Sequence, residues 1–430
     1  MPAAPILATQ TRNGLVENAY RGVLAVARVT PDYSTEIVHS VGDVELMFYP
    51  RSANKFVQLL PLIESGAVEH YSFTDAELAI MCASHNGEPA HLATVRGILA
   101  KIGCSEEELL CGSHTPGDLA SAFRYCQEAG SAFQFPFSQP IYNNCSGKHA
   151  GMLALCCHLQ LPTQNYIASS HPVQQLIKDA VVDIFFGPGA EAGQLEGSGE
   201  LHVGVDGCCA PAFAMSIKAA ASGYARLAKP NLHPSAPRAA AITKVLGAAT
   251  AHSHMVHGAG GFDTVVMAAF KGTVFSKRGA GGCSLVGLTG RGVGFCVKME
   301  SGADEAKFCV AAEFLRWAYT SLPPSSSPSS SFNVSGAEAE AEAGAEGEGE
   351  VLDVALPAEL GRFLSVVNLT CSGQEVGLAR AEPGIFPPSL FLSSSSSSQG
   401  GRKNEGGTTH LRGVEATDQT IFEGKRKRGK

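Results

Sequence analysis

Between residues 13 and 322, apolar and polar positions follow two periods, one near 3.6 and one of 2, separated by short Gly, Pro and Asn punctuation. Helical spacing marks Ser52–Leu60, Asp75–Cys82, His91–Ile102, Val173–Phe186 and Asp304–Leu322. In the last of these Phe308, Ala311, Leu315 and Ala318 form one apolar stripe. Runs rich in β-branched and aromatic residues mark strands at Val23–Val29, Glu45–Phe48, Thr264–Phe270, Thr273–Lys277 and Val293–Lys298. The close succession of the last three predicts an antiparallel meander. The interleaving as a whole predicts an α/β (α+β) body, a mixed, largely antiparallel sheet packed with helices.

The pattern breaks at residue 323. Residues 323–351 run from Ser/Pro into an Ala/Glu/Gly alternation with too few large apolar groups to offset the entropy of ordering, so a disordered insert is expected. Residues 352–387 regain apolar character, and Phe363–Cys371 reads as one more strand returning to the body. Residues 388–430 are Ser/Gly-rich, end in the basic cluster Lys425-Arg-Lys-Arg428, and read as a disordered tail.

Composition narrows the function classes. An apolar fraction of 44% across 430 residues supports a substantial core. The formal charge of -8 supplies no global basic field, which argues against nucleic acid and anionic membrane as partners and favours a small-molecule substrate. No apolar run reaches membrane-spanning length and the N-terminus lacks a secretory pattern, so a soluble, cytoplasmic protein is expected. Thirteen cysteines, some in adjacent pairs, suit reduced thiols or a metal site better than a disulfide scaffold.

The chemistry gathers in five short blocks. The chain's single Ser-x-x-Lys places Ser52 and Lys55 three apart, where a neutral amine can deprotonate a hydroxyl, with Arg51 beside them; the plainer reading is an N-cap serine and a solvated lysine. Cys82–Pro89 ends a helix in Ser84, His85 and Glu88, polar groups that suit either a cleft or a turn. Tyr142–Met152 packs Asn143, Asn144, Cys145, Ser146, Lys148 and His149 before an apolar helix, without the spacing of a phosphate loop. Val203–Phe213 places Asp206 and Cys208 between glycines; Cys145 and Cys208 offer soft ligands for zinc, or simply two small buried groups. Finally, Lys277-x-Gly279 closes a strand, an arrangement found with Ser-x-x-Lys in serine β-lactamases and penicillin-binding proteins, although no Ser-Asp-Asn element lies between them.

In content and order, Pro50–Lys55, Cys82–Pro89, Asn143–Met152, Gly204–Cys208, Phe262–Thr264 and Lys277–Ala280 resemble the Rhizobium-type L-asparaginase II family, and Val367–Gly377 extends the likeness. The resemblance implies a serine β-lactamase/glutaminase-like fold and hydrolysis of L-asparagine to L-aspartate and ammonia. It implies two Ser-Lys pairs, Ser52 with Lys55 and Ser84 with Lys277. It also implies a zinc ion on Cys145, Lys148 and Cys208, with Arg51, Asn144, His149 and Asp206 around substrate or metal, and a homodimer. Lys148 as a ligand requires a neutral amine. The chain departs from the family pattern at Arg278 and Gly281, which stand in place of Gly and Glu, at Gly260–Gly261, where an Arg is common, and at Asn54. Two other functions share parts of these motifs: a β-lactam-recognising or peptidase-like acyl enzyme, and an inactive asparaginase-like binding protein.

Overall fold

The computed structural model describes residues 3–128, 139–321, 357–369 and 375–387. The expected disordered insert at 323–351 and tail at 388–430 lie outside the described residues. In chain order the strands are β1 (Ile6–Arg12), β2 (Leu15–Val29), β3 (Thr35–Val41), β4 (Met47–Phe48), β5 (His202–Val205), β6 (Pro211–Ser216), β7 (Val274–Gly279), β8 (Cys283–Leu288), β9 (Val293–Met299), β10 (Ser365–Leu369) and β11 (Glu375–Ala381). The main sheet runs β10-β11-β1-β2-β9-β8-β7, with β3 also paired to β2. A second, small sheet has the order β4-β6-β5. Every ladder among the described residues is antiparallel.

β2 explains why the sheet separates two cores. Its first half pairs with β1, while Gly22–Arg28 pairs with β9 from Gly22↔Met299 to Arg28↔Val293. Successive side chains of a strand point to opposite faces. Val23, Ala25 and Ala27 accordingly enter one core with Ala221, Tyr224 and Phe275, beneath the Ile217–Leu227 helix. Leu24 and Val26 enter the other with Phe295, Val310 and Phe314, beneath the Asp304–Ser321 helix. The result is a mixed α/β body in which helices cover both faces of an antiparallel sheet. Among the described residues, no helix is long and apolar enough to cross a membrane.

Three sequence expectations need correction. Thr264–Phe270 is not a strand; it lies in a helix, Phe262–Ala269. Its buried residues Phe262, Asp263, Val266 and Met267 fall at helical spacing, and Thr264 Oγ1 donates to Ser253 O at 3.0 Å and Gly258 O at 2.8 Å, locking the first turn. An apolar run this short does not distinguish strand from helix by composition. The meander instead takes β8 as its middle strand, paired to β7 from Val274↔Leu288 to Gly279↔Cys283. At Glu45–Phe48 only Met47–Phe48 is strand, and it belongs to the small sheet.

Close backbone approaches aim the motif-bearing segments at the end of β7. A Cβ on Gly279 would lie 2.2 Å from the Pro50 carbonyl oxygen, so the 3-10 turn Arg51–Asn54 sits directly against that strand. The Ser84 N–H donates to Val256 O at 3.0 Å, fixing the segment that follows the Asp75–Met81 helix. A Cβ on Gly147 would lie 2.2 Å from the Ile80 carbonyl oxygen, so only glycine lets the Ser146–His158 helix close on the turn that precedes Ser84. Gly147→Ala should therefore cost about 1–3 kcal/mol of stability through overpacking. Chemical denaturation checks this, and an unchanged midpoint would show that the helices separate without cost.

Candidate functional site

Ser84 Oγ is the point on which two lysines converge. Lys55 Nζ lies 3.0 Å from it and Lys277 Nζ 3.1 Å, although the serine is separated from them by 29 and 193 residues of sequence. All three side chains are buried: Ser84 is 3% exposed, Lys55 1% and Lys277 0%. Lys55 Nζ also donates to Ala83 O and to Cys145 Sγ, the latter at 3.1 Å, so it has three acceptors for the three protons of an ammonium. Lys277 reaches the serine from β7, with the Arg278 carbonyl 3.4 Å away as its other hydrogen-bond acceptor.

Burial pushes the Lys277 amine down to about 7; Lys55 and Arg278 add to that, and the nearby Asp263 carboxylate opposes it. A neutral Lys277 at this distance has a lone pair that can accept the Ser84 hydroxyl proton, while Lys55 donates to the same oxygen. This arrangement can generate an alkoxide in a site shielded from water. His85 has a different role. Its Nδ1 accepts the Gly87 N–H at 3.1 Å, so Nε2 carries the ring proton and donates to Ser146 Oγ at 2.9 Å. Burial, with His91 and Lys55 nearby, holds this imidazole neutral, well below its ordinary range.

On the far side of Lys55 lies a thiol pair. Cys145 takes a hydrogen bond from Cys208, and this, together with Lys55 and Lys148 and against its burial, keeps Cys145 well below the usual thiol range as a thiolate. Lys148 Nζ donates to Cys208 Sγ at 3.0 Å. Burial works against the Lys148 charge, but Cys208, Cys145 and Asp206 outweigh it and raise the amine. Asp206 lies 3.9 Å from Cys208 Sγ and accepts Arg51 Nε at 2.8 Å and Nη2 at 2.7 Å. Burial disfavours the Asp206 carboxylate, yet Lys148, Arg51 and the Gly207 N–H hold it ionised. His149 donates or accepts at Nδ1 with Tyr166 Oη at 2.7 Å, and Tyr166 Oη accepts the Leu110 N–H at 2.9 Å. With the tyrosine proton directed to Nδ1, Nε2–H faces Cys208 and favours its thiolate form.

Of the eleven residues singled out from sequence, nine form one connected group: Lys277, Ser84, Lys55, Cys145, Cys208, Lys148, His149, Asp206 and Arg51. Ser52 and Asn144 are partly exposed, and neither side chain hydrogen-bonds to the rest among the described residues. Sequence reasoning did not single out Asp263. Its signal was present in Gly261-Phe-Asp-Thr264, an Asp in the first turn after a glycine, but the strand reading of the following residues hid it.

Two sets of side chains have metal-ligand chemistry. Cys145, Cys208 and Lys148 bring two soft sulfurs and an amine together in a buried pocket, a donor set that fits zinc once Lys148 sheds its proton. Glu88, His91 and His254 also lie within ligand spacing. There, however, His91 Nδ1 accepts the Glu88 N–H at 3.1 Å and Nε2 meets His254 O at 3.0 Å, so neither ring nitrogen is free for a metal.

The thiol pair is held by Asn143. Its Nδ2 donates to Cys111 O at 2.8 Å and Gly112 O at 3.1 Å, and its Oδ1 accepts the Cys145 N–H at 2.8 Å. Asn143→Ala would leave these buried groups unpaired and should cost about 1–3 kcal/mol. In peptide mass spectrometry after iodoacetamide, exposed Cys209 should react first in both proteins, and Cys145 should lose its protection in the variant.

The sequence profile of the L-asparaginase II family matches residues 8–340. No curated protein matches the chain. Among solved structures, a candidate beta-lactamase from Bacteroides dorei DSM 17855 is similar at 13% identity and a TM-score of 0.29, over 64% of this chain and 84% of that one.

Proposed function

As the chain belongs to the L-asparaginase II family, which places it among amidohydrolase-type proteins, we propose that it hydrolyses the side-chain amide of L-asparagine to L-aspartate and ammonia. The observation that carries this reading is Ser84 Oγ held between Lys55 at 3.0 Å and Lys277 at 3.1 Å. Neutral Lys277 takes the Ser84 proton and the alkoxide attacks the amide carbon, forming a C–O bond. Lys277 returns that proton to the amide nitrogen as the C–N bond breaks, releasing ammonia and leaving an aspartyl ester. Water, deprotonated by the same amine, attacks the ester, and Ser84 recovers its proton as aspartate leaves. Arg51 and Asp206, opposite charges at one edge of the site, suit the α-carboxylate and α-ammonium of an amino acid.

Cys145, Lys148 and Cys208 would hold a zinc ion, whose charge, when bound, would order this part of the cleft. Uptake displaces the Lys148 proton and any proton shared by the thiols. Apparent zinc affinity should therefore fall as pH falls, with protons released on binding, and Cys208→Ser should lose the metal. Elemental analysis after dialysis at several pH values checks this; pH-independent retention would point to other ligands.

Ammonia release from L-asparagine and L-glutamine tests the function. Ser84→Ala and Lys277→Met should each lose about 10²–10⁴-fold in kcat, since each removes one half of the proton transfer. Lys277 must be neutral to act as base, so kcat/KM should rise with pH through about 7 and fall away below it. A larger loss in Ser52→Ala than in Ser84→Ala, or an acyl adduct mapped to Ser52, would assign attack to Ser52. Nitrocefin turnover without ammonia release would replace the asparaginase reading with a β-lactam-recognising one.

A further inference from the structure

β7 is an edge strand, paired on one side by β8 and met on the other by the first turn of the Phe262–Ala269 helix. At that junction Asp263, fully buried, receives three hydrogen bonds from the two residues flanking Lys277. Ser276 Oγ donates to Oδ1 at 2.8 Å, and the Arg278 N–H donates to Oδ1 at 3.1 Å and Oδ2 at 3.0 Å. Lys277, between them, stays unbonded to the carboxylate: its Nζ lies 3.9 Å from Oδ2 and turns to Ser84 instead. His257 Nδ1 is 3.5 Å from the same oxygen, and burial keeps that ring neutral, pushed down to about 3.

We infer that Asp263 is a positioning residue for Lys277: it clamps β7 on both sides of the lysine and holds its negative charge close to, but not bonded to, the amine. This rests on Lys277 being the base of the proposed reaction. Were the carboxylate free to close the 3.9 Å separation of this loose ion pair, a direct hydrogen bond would pull Nζ from Ser84 and fix its proton. Without the carboxylate, the amine would face only burial, Lys55, Arg278 and the neutral Cys82 thiol, and would become too weak a base. Asp263 is also faced by His257, Arg278 and the buried Tyr224 hydroxyl, while a second carboxylate, Asp304, acts on Arg278 and pairs with Lys307 at 2.7 Å.

Two variants should act in opposite directions. Asp263→Asn keeps the shape and one acceptor but removes the charge, so the acid limb of kcat/KM should move to lower pH by about 1–3 units, with a reduced plateau. Ser276→Ala leaves the charge but frees Oδ1 to approach Nζ, so the limb should move to higher pH. The titration of Lys277, followed by NMR of 13Cε-lysine and assigned by loss of its signal in Lys277→Met, should shift with the limb in both variants. This readout needs no turnover. If the unaltered protein releases no ammonia, the amidohydrolase reading fails while the NMR midpoints still decide the role of Asp263. Folded variants whose Lys277 midpoint stays in place would overturn the inference and leave Asp263 a purely structural cap. If Asp263→Asn does not fold, Ser276→Ala decides alone, and an unmoved midpoint there overturns it.

Discussion

Two lysine amines buried against one serine oxygen are the constraint on which the rest of the site depends. Burial disfavours an ammonium, and two together also repel, so each amine must be satisfied separately or lose its proton. Lys55 meets this with three acceptors, Ala83 O, Ser84 Oγ and Cys145 Sγ. Lys277 meets it by titrating near neutrality beside Asp263. The same hydroxyl therefore faces one amine placed to donate and one free to accept, and it is this asymmetry, rather than the presence of lysines, that allows proton transfer.

Holding that arrangement requires five distant segments to meet, which is where the backbone packing matters. Pro50 against Gly279 brings the Lys55 turn to β7, and Gly147 against Ile80 brings Cys145 and Lys148 beside Ser84. Beyond Lys55 the charges alternate: ammonium, Cys145 thiolate, Lys148, Asp206, Arg51. Each buried charge is thus next to an opposite one, and the alternation carries the field of the buried site out to a partly exposed guanidinium, 38% exposed.

Much of the fold was legible because long periodic segments carry their own evidence, as in the helix at Asp304–Ser321, whose Phe308, Ala311, Leu315 and Ala318 stripe is plain in the sequence. The site was legible in content but less so in pairing. Three-residue spacing reads Ser52 and Lys55 as neighbours, yet spacing does not set where a four-carbon side chain ends, and Lys55 crosses to Ser84. No local signal could join Ser84 to Lys277 across 193 residues; only motif order suggested it. Asp263 was obscured for another reason. Val265, Val266 and Met267 are equally at home in a buried strand or a buried helix, and the decision between them rests on tertiary burial that no short window contains.

The departures at Arg278 and Gly281 make sense within this geometry. What Asp263 takes from position 278 is the backbone N–H, at 3.1 and 3.0 Å, which any residue except proline supplies, so replacing glycine by arginine leaves the clamp intact. The arginine side chain contributes charge instead, lowering Lys277 and favouring the ionised form of Asp263. Gly281 sits in the turn between β7 and β8 with φ +74, a conformation glycine adopts freely and a glutamate would adopt under strain. With no carboxylate at that turn, Asp263 supplies the main negative charge that tempers Lys277, pinned by its two strand neighbours at a distance that neither hydrogen-bonds the amine nor leaves it unsupported.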